Sequence, residues 1–300
     1  MSFPRRVRIV EVGPRDGLQN EARILPTERR IALIQGLVQA GLTIIEAGSF
    51  VSPKWVPQMA DTASVLAGLD LDAGIAYPVL APNMKGYSEA RAAGAREVAI
   101  FAAASESFSQ RNINCSIAES LDRFRPVAEA AAQDGVRLRG YVSCVLGCPY
   151  EGDVPVSRVR DVSQALMQLG CYEVSLGDTI GVGTPLKARA MLQTVAEAIP
   201  MAALALHFHD TYGMALANIF ACLELGVSVI DAAVGGLGGC PYAAGASGNV
   251  STEDLVTMLD GMGIETGIDR EALIAAGQIA VAGLGHPARS KLAAARAQAP

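Results

Sequence analysis

Short apolar or β-branched runs alternate along the chain with longer segments whose apolar residues recur at helical spacing. Strands are predicted at residues 7–12, 43–47, 72–77, 97–102, 137–145, 172–176, 203–209 and 229–233. Amphipathic helices are predicted at 27–40, 117–134, 156–169, 185–198 and 216–225, with a further helix at 270–282 after the eighth unit. Thr27 is the expected N-cap ahead of Glu28, and Pro185 suits a first helical turn after Thr184. Gly41, Gly94, Gly135, Gly170 and Gly226 stand where helices should end.

Eight such strand–helix repeats predict an α/β fold, a (β/α)8 TIM barrel with a short C-terminal helical extension. The whole of 1–300 is expected to form one catalytic domain, with 270–300 as the extension and a tail that frays after Lys291. An open doubly wound sheet is the structural rival. It would carry a glycine-rich phosphate turn after its first strand, whereas Gly13-Pro14-Arg15-Asp16-Gly17 brings charge there instead.

Composition narrows the function classes. The chain is 51% hydrophobic and 18% charged with a net charge of −6, so it lacks the basic balance of a nucleic-acid binder. The longest uncharged stretch, 232–252, is rich in Gly, Ser and Asn and does not read as a membrane span. Six cysteines without regular spacing, and no secretory leader before Val7, predict reduced thiols and a cytoplasmic location.

Polar residues then collect at strand ends, which a barrel gathers at its C-terminal rim. Asp16 follows the first strand, Glu46 closes the second, Asp178 follows the sixth, His207 and His209 close the seventh, and Cys240 and Asn249 follow the eighth. Residues i and i+2 of a strand share a face, so both imidazoles of His207-Phe208-His209 are expected to point the same way. Two barrel histidines held by hydrogen bonds are the plain alternative. Asp16 and Asn249 would complete a mixed nitrogen–oxygen site suited to Mg2+ or Mn2+. Zn2+ is the weaker candidate, since a single Cys240 thiolate in a glycine-rich loop is a poor clamp.

Arg15, beside Asp16, is placed to stabilise a developing oxyanion. Glu46 and Asp178 are each a carboxylate that supports a ligand, a base, or a hydrogen-bond acceptor on the rim. Cys240, after the run Gly235-Gly236-Leu237-Gly238-Gly239, is either a small buried thiol or a proton donor on a loop with lid freedom. Cys144 and Cys148 read as structural, and Tyr141 or Ser143 on the fifth strand as a substrate contact.

Together these segments resemble the 3-hydroxy-3-methylglutaryl-CoA lyase family. The matching stretches are Glu11-Val12-Gly13-Pro14-Arg15-Asp16-Gly17-Leu18-Gln19-Asn20-Glu21, Ser49-Phe50-Val51-Ser52-Pro53-Lys54, Ser175-Leu176-Gly177-Asp178-Thr179 and His207-Phe208-His209-Asp210-Thr211. Most specific is Gly235-Gly236-Leu237-Gly238-Gly239-Cys240-Pro241-Tyr242-Ala243, continuing to Asn249. The Arg-Asp-Gly and His-x-His pieces alone would mark only the wider superfamily with isopropylmalate and homocitrate synthases.

The resemblance implies metal-dependent cleavage of 3-hydroxy-3-methylglutaryl-CoA into acetyl-CoA and acetoacetate, in leucine and ketone-body metabolism. It implies Asp16, His207, His209 and Asn249 as metal ligands, Arg15 on the thioester oxygen and Cys240 as the acid. Glu46 and Asp178 follow as further active-site carboxylates, and Gln19, Tyr141, Ser143 and Ser175 join Arg15 near substrate. Either Asp16 or His207 serves as the base. The partner is a small acyl-CoA, and a homodimer or higher homo-oligomer is expected. Two departures stand out: no cysteine follows Cys240, and Ala22 occupies a position where relatives often carry lysine. The alternatives are a lyase for a bulkier 3-hydroxyglutaryl-CoA from isoprenoid breakdown, a synthase joining acetyl-CoA to a 2-oxo acid, and a metal-binding barrel without catalysis.

Overall fold

The protein's structure, a computed structural model, describes residues 3–240 and 243–297, and for 240, 243–247 and 297 the backbone alone. Eight parallel strands form one sheet: β1 (Arg8–Glu11), β2 (Gly48–Ser49), β3 (Val79–Leu80), β4 (Glu97–Ala103), β5 (Arg137–Ser143), β6 (Glu173–Asp178), β7 (Leu204–Phe208) and β8 (Val229–Ala232). They pair in the order β1-β8-β7-β6-β5-β4-β3-β2. The bridge Glu11↔Ile45 closes the circle, with the Glu46 amide donating to the Glu11 carbonyl at 2.8 Å. A closed parallel sheet has no free edge to protect. This is the (β/α)8 barrel.

Around it run α1 (Thr27–Gln39), α2 (Thr62–Ala67), α3 (Met84–Ala92), α4 (Glu106–Ile113), α5 (Ile117–Asp134), α6 (Val156–Gln168), α7 (Pro185–Ala196), α8 (Ala215–Leu223) and α9 (Thr252–Gly261). The C-terminal extension is α10 (Arg270–Leu284), packed on α1, followed by α11 (Lys291–Ala297). One apolar cluster built from Val, Leu, Ile and Ala joins strand backs to helix faces. Local chemistry explains several boundaries. Ser116 and Glu119 form a reciprocal capping box at the start of α5. Pro185 opens α7 after Thr184, and the five predicted helix-ending glycines all take positive φ.

Four expectations change. The strand placed at 72–77 lies further on. Asp70 accepts the Asp72 amide in a turn at 3.0 Å, Ala76 makes one bridge to Ile44, and the paired segment is Val79–Leu80 beyond Pro78. The run 43–47 pairs only through single bridges before β2 begins at Gly48. Pro26, not Thr27, precedes α1 as N-cap, and the Thr27 hydroxyl donates to Asp61 at 3.1 Å. The segment after Lys291, expected to fray, is α11. Its first amides are held by Asp254, from Lys291 at 3.0 Å and Leu292 at 2.9 Å; residues 298–300 lie outside the described part.

Gly41 shows the cost of these tight helix–strand turns. At φ +97°, a Cβ there would lie 2.4 Å from the Gly267 carbonyl oxygen, whereas at Gly170 (φ +100°) a Cβ would meet open space. Both Gly→Ala changes carry the backbone strain of about 1–3 kcal/mol, but only Gly41→Ala adds a clash with backbone. Urea denaturation is expected to show Gly41→Ala losing distinctly more stability than Gly170→Ala; equal losses would contradict this.

Candidate metal centre and its surroundings

The site is built on three short backbone devices. After β1, Gly13–Gly17 winds as a π-helical turn, with the Gly17 amide reaching back to the Val12 carbonyl at 3.1 Å. This compact turn buries both Arg15 and Asp16. At the end of β7, His207 and His209 are two residues apart on one strand face. Asn249 is then set beside them by backbone pairing, through the antiparallel bridge His209↔Asn249 and the Val250 amide on the Phe208 carbonyl at 3.1 Å.

The outcome is a buried cluster of Asp16, His207 and His209 whose ligand atoms all lie within 4.8 Å of one another. Asp16 Oδ2 is 3.8 Å from His207 Nε2 and 4.0 Å from His209 Nε2, and it accepts from Asn249 Nδ2 at 2.8 Å. Asp16 Oδ1 accepts from Arg15 at 2.6 Å and from Gln19 at 3.1 Å. Arg15 also donates from Nε to Glu46 Oε2 at 2.6 Å, while Glu46 Oε1 is buried without a hydrogen-bond partner.

Electrostatics follow from this packing. Burial alone would raise the Asp16 carboxyl, but Arg15, the two histidines and Asn249 outweigh it and bring it down to about 2. Burial opposes the Arg15 charge too, yet Glu46 and Asp16 hold the guanidinium firmly protonated. His209 is pushed down to about 4 by burial and by His207 beside it, against the pull of Asp16 and the Thr179 backbone. A carboxylate kept ionised and an imidazole kept neutral make a donor set that fits a divalent cation. Asn249 fits it as well once its amide oxygen, rather than Nδ2, faces the gap.

Beneath the cluster lies a polar chain that the sequence reading missed. His207 Nδ1 sits 3.2 Å from Asp231 Oδ2. Asp231 is paired with Arg139 through two contacts, at 2.7 and 3.1 Å, and Arg139 Nε reaches Glu173 at 2.8 Å. Glu173 then pairs with Arg8. Because β5 and β8 are not neighbours, the Arg139–Asp231 bond crosses the barrel interior. Tyr141 stands edge-on to His207, with its ring between Arg15 at 5.3 Å and Arg139 at 4.9 Å.

The other expected site residues divide. Glu46, Gln19 and Tyr141 join the cluster, Gln19 through Asp16 itself. Ser143 is half-buried at the end of the same strand as Tyr141. Ser175 lies a layer lower, its hydroxyl donating to Asp231 at 2.8 Å, so it supports the interior chain. Asp178 takes the part of a hydrogen-bond acceptor, one of the three roles its position allowed. Its Oδ2 accepts from the Gly183 amide at 2.8 Å, and its carboxyl, raised to about 6 by burial against the amides of Gly183, Val182 and Gly181, belongs to the loop after β6. The Asp178 carbonyl accepts the His209 amide at 3.3 Å, while its side chain has the opposite parity to Gly177, the register partner of His207, and faces away from the cluster.

The glycine run is also more tied than a free lid. Gly235 donates to Glu253 at 2.8 and 2.9 Å, Val234 to Glu11 at 2.9 Å, and Gly238 to Glu21 at 3.3 Å. Glu11 and Glu253, both fully buried, thus anchor the base of the loop. Beyond it the backbone forms a hairpin of β9 (Gly239–Cys240) and β10 (Ala243–Ser247). The Cys240 side chain and residues Pro241 and Tyr242 lie outside the described part. Among the described residues, no helix is long and apolar enough to cross a membrane.

Fold and cluster together define a (β/α)8-barrel enzyme with a carboxylate and two imidazoles at its C-terminal rim, able to hold a metal ion. The chain belongs to the HMGL-like family, whose model matches residues 6–280. It is 59% identical over 292 residues to the mitochondrial hydroxymethylglutaryl-CoA lyase of Bos taurus, covering 97% of this chain and 90% of that one. It is 58% identical over 293 residues to the 3-hydroxy-3-isohexenylglutaryl-CoA/hydroxy-methylglutaryl-CoA lyase of Pseudomonas aeruginosa, covering 98% of each. The crystal structure of hydroxymethylglutaryl-CoA lyase from Pseudomonas aeruginosa superposes with a TM-score of 0.98 at 58% identity, over 100% of both chains. The similarity spans the full barrel and both edges of the site.

His209 carries a pH signature in the metal-free protein. The unfolded chain binds a proton near the ordinary value of 6.5, whereas the folded site resists protonation until about 4. Stability contributed by neutral His209 is therefore complete above 6.5 and lost as pH falls toward 4. Urea denaturation at pH 7 and pH 5 is expected to show wild type losing about 2 kcal/mol more than His209→Gln over that interval. An equal loss in both proteins would contradict the buried-neutral assignment.

Proposed function

We propose that this enzyme cleaves 3-hydroxy-3-methylglutaryl-CoA to acetyl-CoA and acetoacetate, with Mg2+ or Mn2+ held by Asp16, His207, His209 and Asn249. The observation that carries the reading is the convergence of Arg15, Asp16, His207 and His209 on one buried gap at the barrel rim. Relatives of 58–59% identity named for this reaction support it. A divalent cation, when bound, polarises substrate oxygens and eases loss of the tertiary hydroxyl proton.

The chain's own groups supply the rest. Arg15, locked between Glu46 and Asp16, keeps its charge in a dry setting, where it stabilises the thioester oxygen as the bond breaks and an enolate forms. Lys would not serve as well, because it lacks the fork that meets both carboxylates. Asp16, lowered to about 2, stays an anionic donor for the cation rather than a proton acceptor. Cys240, on the hairpin that follows the anchored glycine turn, delivers a proton to the new acetyl-CoA carbon.

The bulkier 3-hydroxyglutaryl-CoA remains a second substrate reading, favoured by the double name of the Pseudomonas aeruginosa relative. The deciding assay follows acetoacetate from 3-hydroxy-3-methylglutaryl-CoA with chelated protein, before and after Mg2+ or Mn2+ is restored. Metal-restored acetoacetate is expected; folded protein that yields none with either metal would refute the assignment. Cys240→Ala is expected to cut kcat by orders of magnitude with metal content unchanged, and near-normal turnover would remove its acid role.

A further inference from the structure

We propose that Asp231, clamped by Arg139, is a positioning residue that fixes the tautomer of His207 and aims its Nε2 lone pair into the gap beside Asp16. The inference rests on the metal reading of that gap but concerns a residue outside the ligand set. It starts from a count of donors. Asp231 Oδ1 accepts from Arg139 Nη2 at 2.7 Å, and Oδ2 accepts from Arg139 Nη1 at 3.1 Å and from the Ser175 hydroxyl at 2.8 Å. An ionised carboxylate only accepts hydrogen bonds.

His207 Nδ1 lies 3.2 Å from the same Oδ2. If Nδ1 carried a lone pair, two lone pairs would face each other in a fully buried setting. A proton on Nδ1 turns that contact into a charge-assisted hydrogen bond and leaves Nε2 unprotonated. Nε2 is the atom 3.8 Å from Asp16 Oδ2, on the ligand side of the ring. The tautomer that satisfies Asp231 is thus the one that can ligate a cation.

The depth of the chain accounts for its orientation. Buried Arg139 lies between two buried carboxylates, Glu173 and Asp231, and exposed Arg8 supplies the second positive charge at the solvent end of the chain. Arg139 Nη1 also donates to the Tyr141 hydroxyl at 2.7 Å, and the Tyr141 ring edge bears on His207. The imidazole is therefore steadied from Nδ1 and from one side. Asparagine at 231 would keep the volume but could not meet both Arg139 and the Nδ1 proton as acceptor with its oxygen alone.

The test uses the full chain, whose three histidines make spectra of 15N-histidine-labelled protein simple to assign. In long-range 1H–15N correlations on chelated wild type at pH 8, His207 is expected to show a protonated Nδ1 and a free Nε2. A protonated Nε2 would overturn the proposal, and this reading does not depend on any variant folding. Mn2+ titration by electron paramagnetic resonance supplies the second arm. Asp231→Asn is expected to weaken Mn2+ binding about 10–100-fold, while Ser175→Ala, which leaves the ion pair intact, stays within about threefold of wild type. Wild-type affinity in Asp231→Asn, or an equal loss in Ser175→Ala, would overturn it. Wild type that shows the Nδ1-protonated tautomer but binds no Mn2+ would support the tautomer assignment and refute the metal reading instead.

Discussion

Arg139 lies across the barrel interior with its guanidinium between Asp231 and Glu173, almost wholly removed from water. Burying such a charge costs several kcal/mol unless every donor finds a partner, and breaking one buried partner typically costs about 3–5 kcal/mol. That constraint dictates much of what surrounds it. Where a (β/α)8 barrel usually fills its centre with layers of branched aliphatic side chains, here β5, β6, β7 and β8 each turn a polar residue inward. Tyr141, Ser175, His207 and Asp231 are positioned by the need to satisfy one cation and its counter-charges.

From that centre the order propagates upward. His207 presents its other nitrogen to Asp16, Asp16 is tied to Arg15, and Arg15 to Glu46, so polar contacts run from the barrel centre to its rim. A second set of buried carboxylates, Glu11 and Glu253, holds the amides of Gly13, Val234 and Gly235. Burial raises Glu11 to about 8 and Glu253 to about 7 against those same donors. Glu11 contacts both the turn that carries Asp16 and the turn that leads to Cys240. The two halves of the site are thereby referenced to the end of a single strand.

The alternation of strand and helix made the barrel legible, and the i, i+2 spacing made the shared face of His207 and His209 legible as well. Arg15 and Asp16 were readable because charge replaces glycine in the turn after β1. Asp231, Arg139 and Glu173 were not, since their partners lie 34 and 92 residues apart and meet only after closure of the sheet. A charged residue within a strand reads locally as a solvated edge. For Asp178 the strand end left three roles open, and alternation, which turns its carboxyl to the 181–183 loop, selects the hydrogen-bond acceptor among them. β3 was misplaced because an Asp-rich turn preceded it and Pro78 interrupted its apolar run, and the short α2, α3 and α4 were hidden by the polarity of their exposed faces.

The central claim is that Asp16, His207 and His209 hold one divalent cation at the rim. The most direct measurement is anomalous diffraction from crystals of the protein equilibrated with Mn2+. A single strong peak between the Asp16 carboxylate and the two Nε2 atoms, joined by the Asn249 amide oxygen, is the predicted result. A map without a peak there at full Mn2+ exposure, or with the ion bound elsewhere while the three side chains keep their present spacing, would contradict the account.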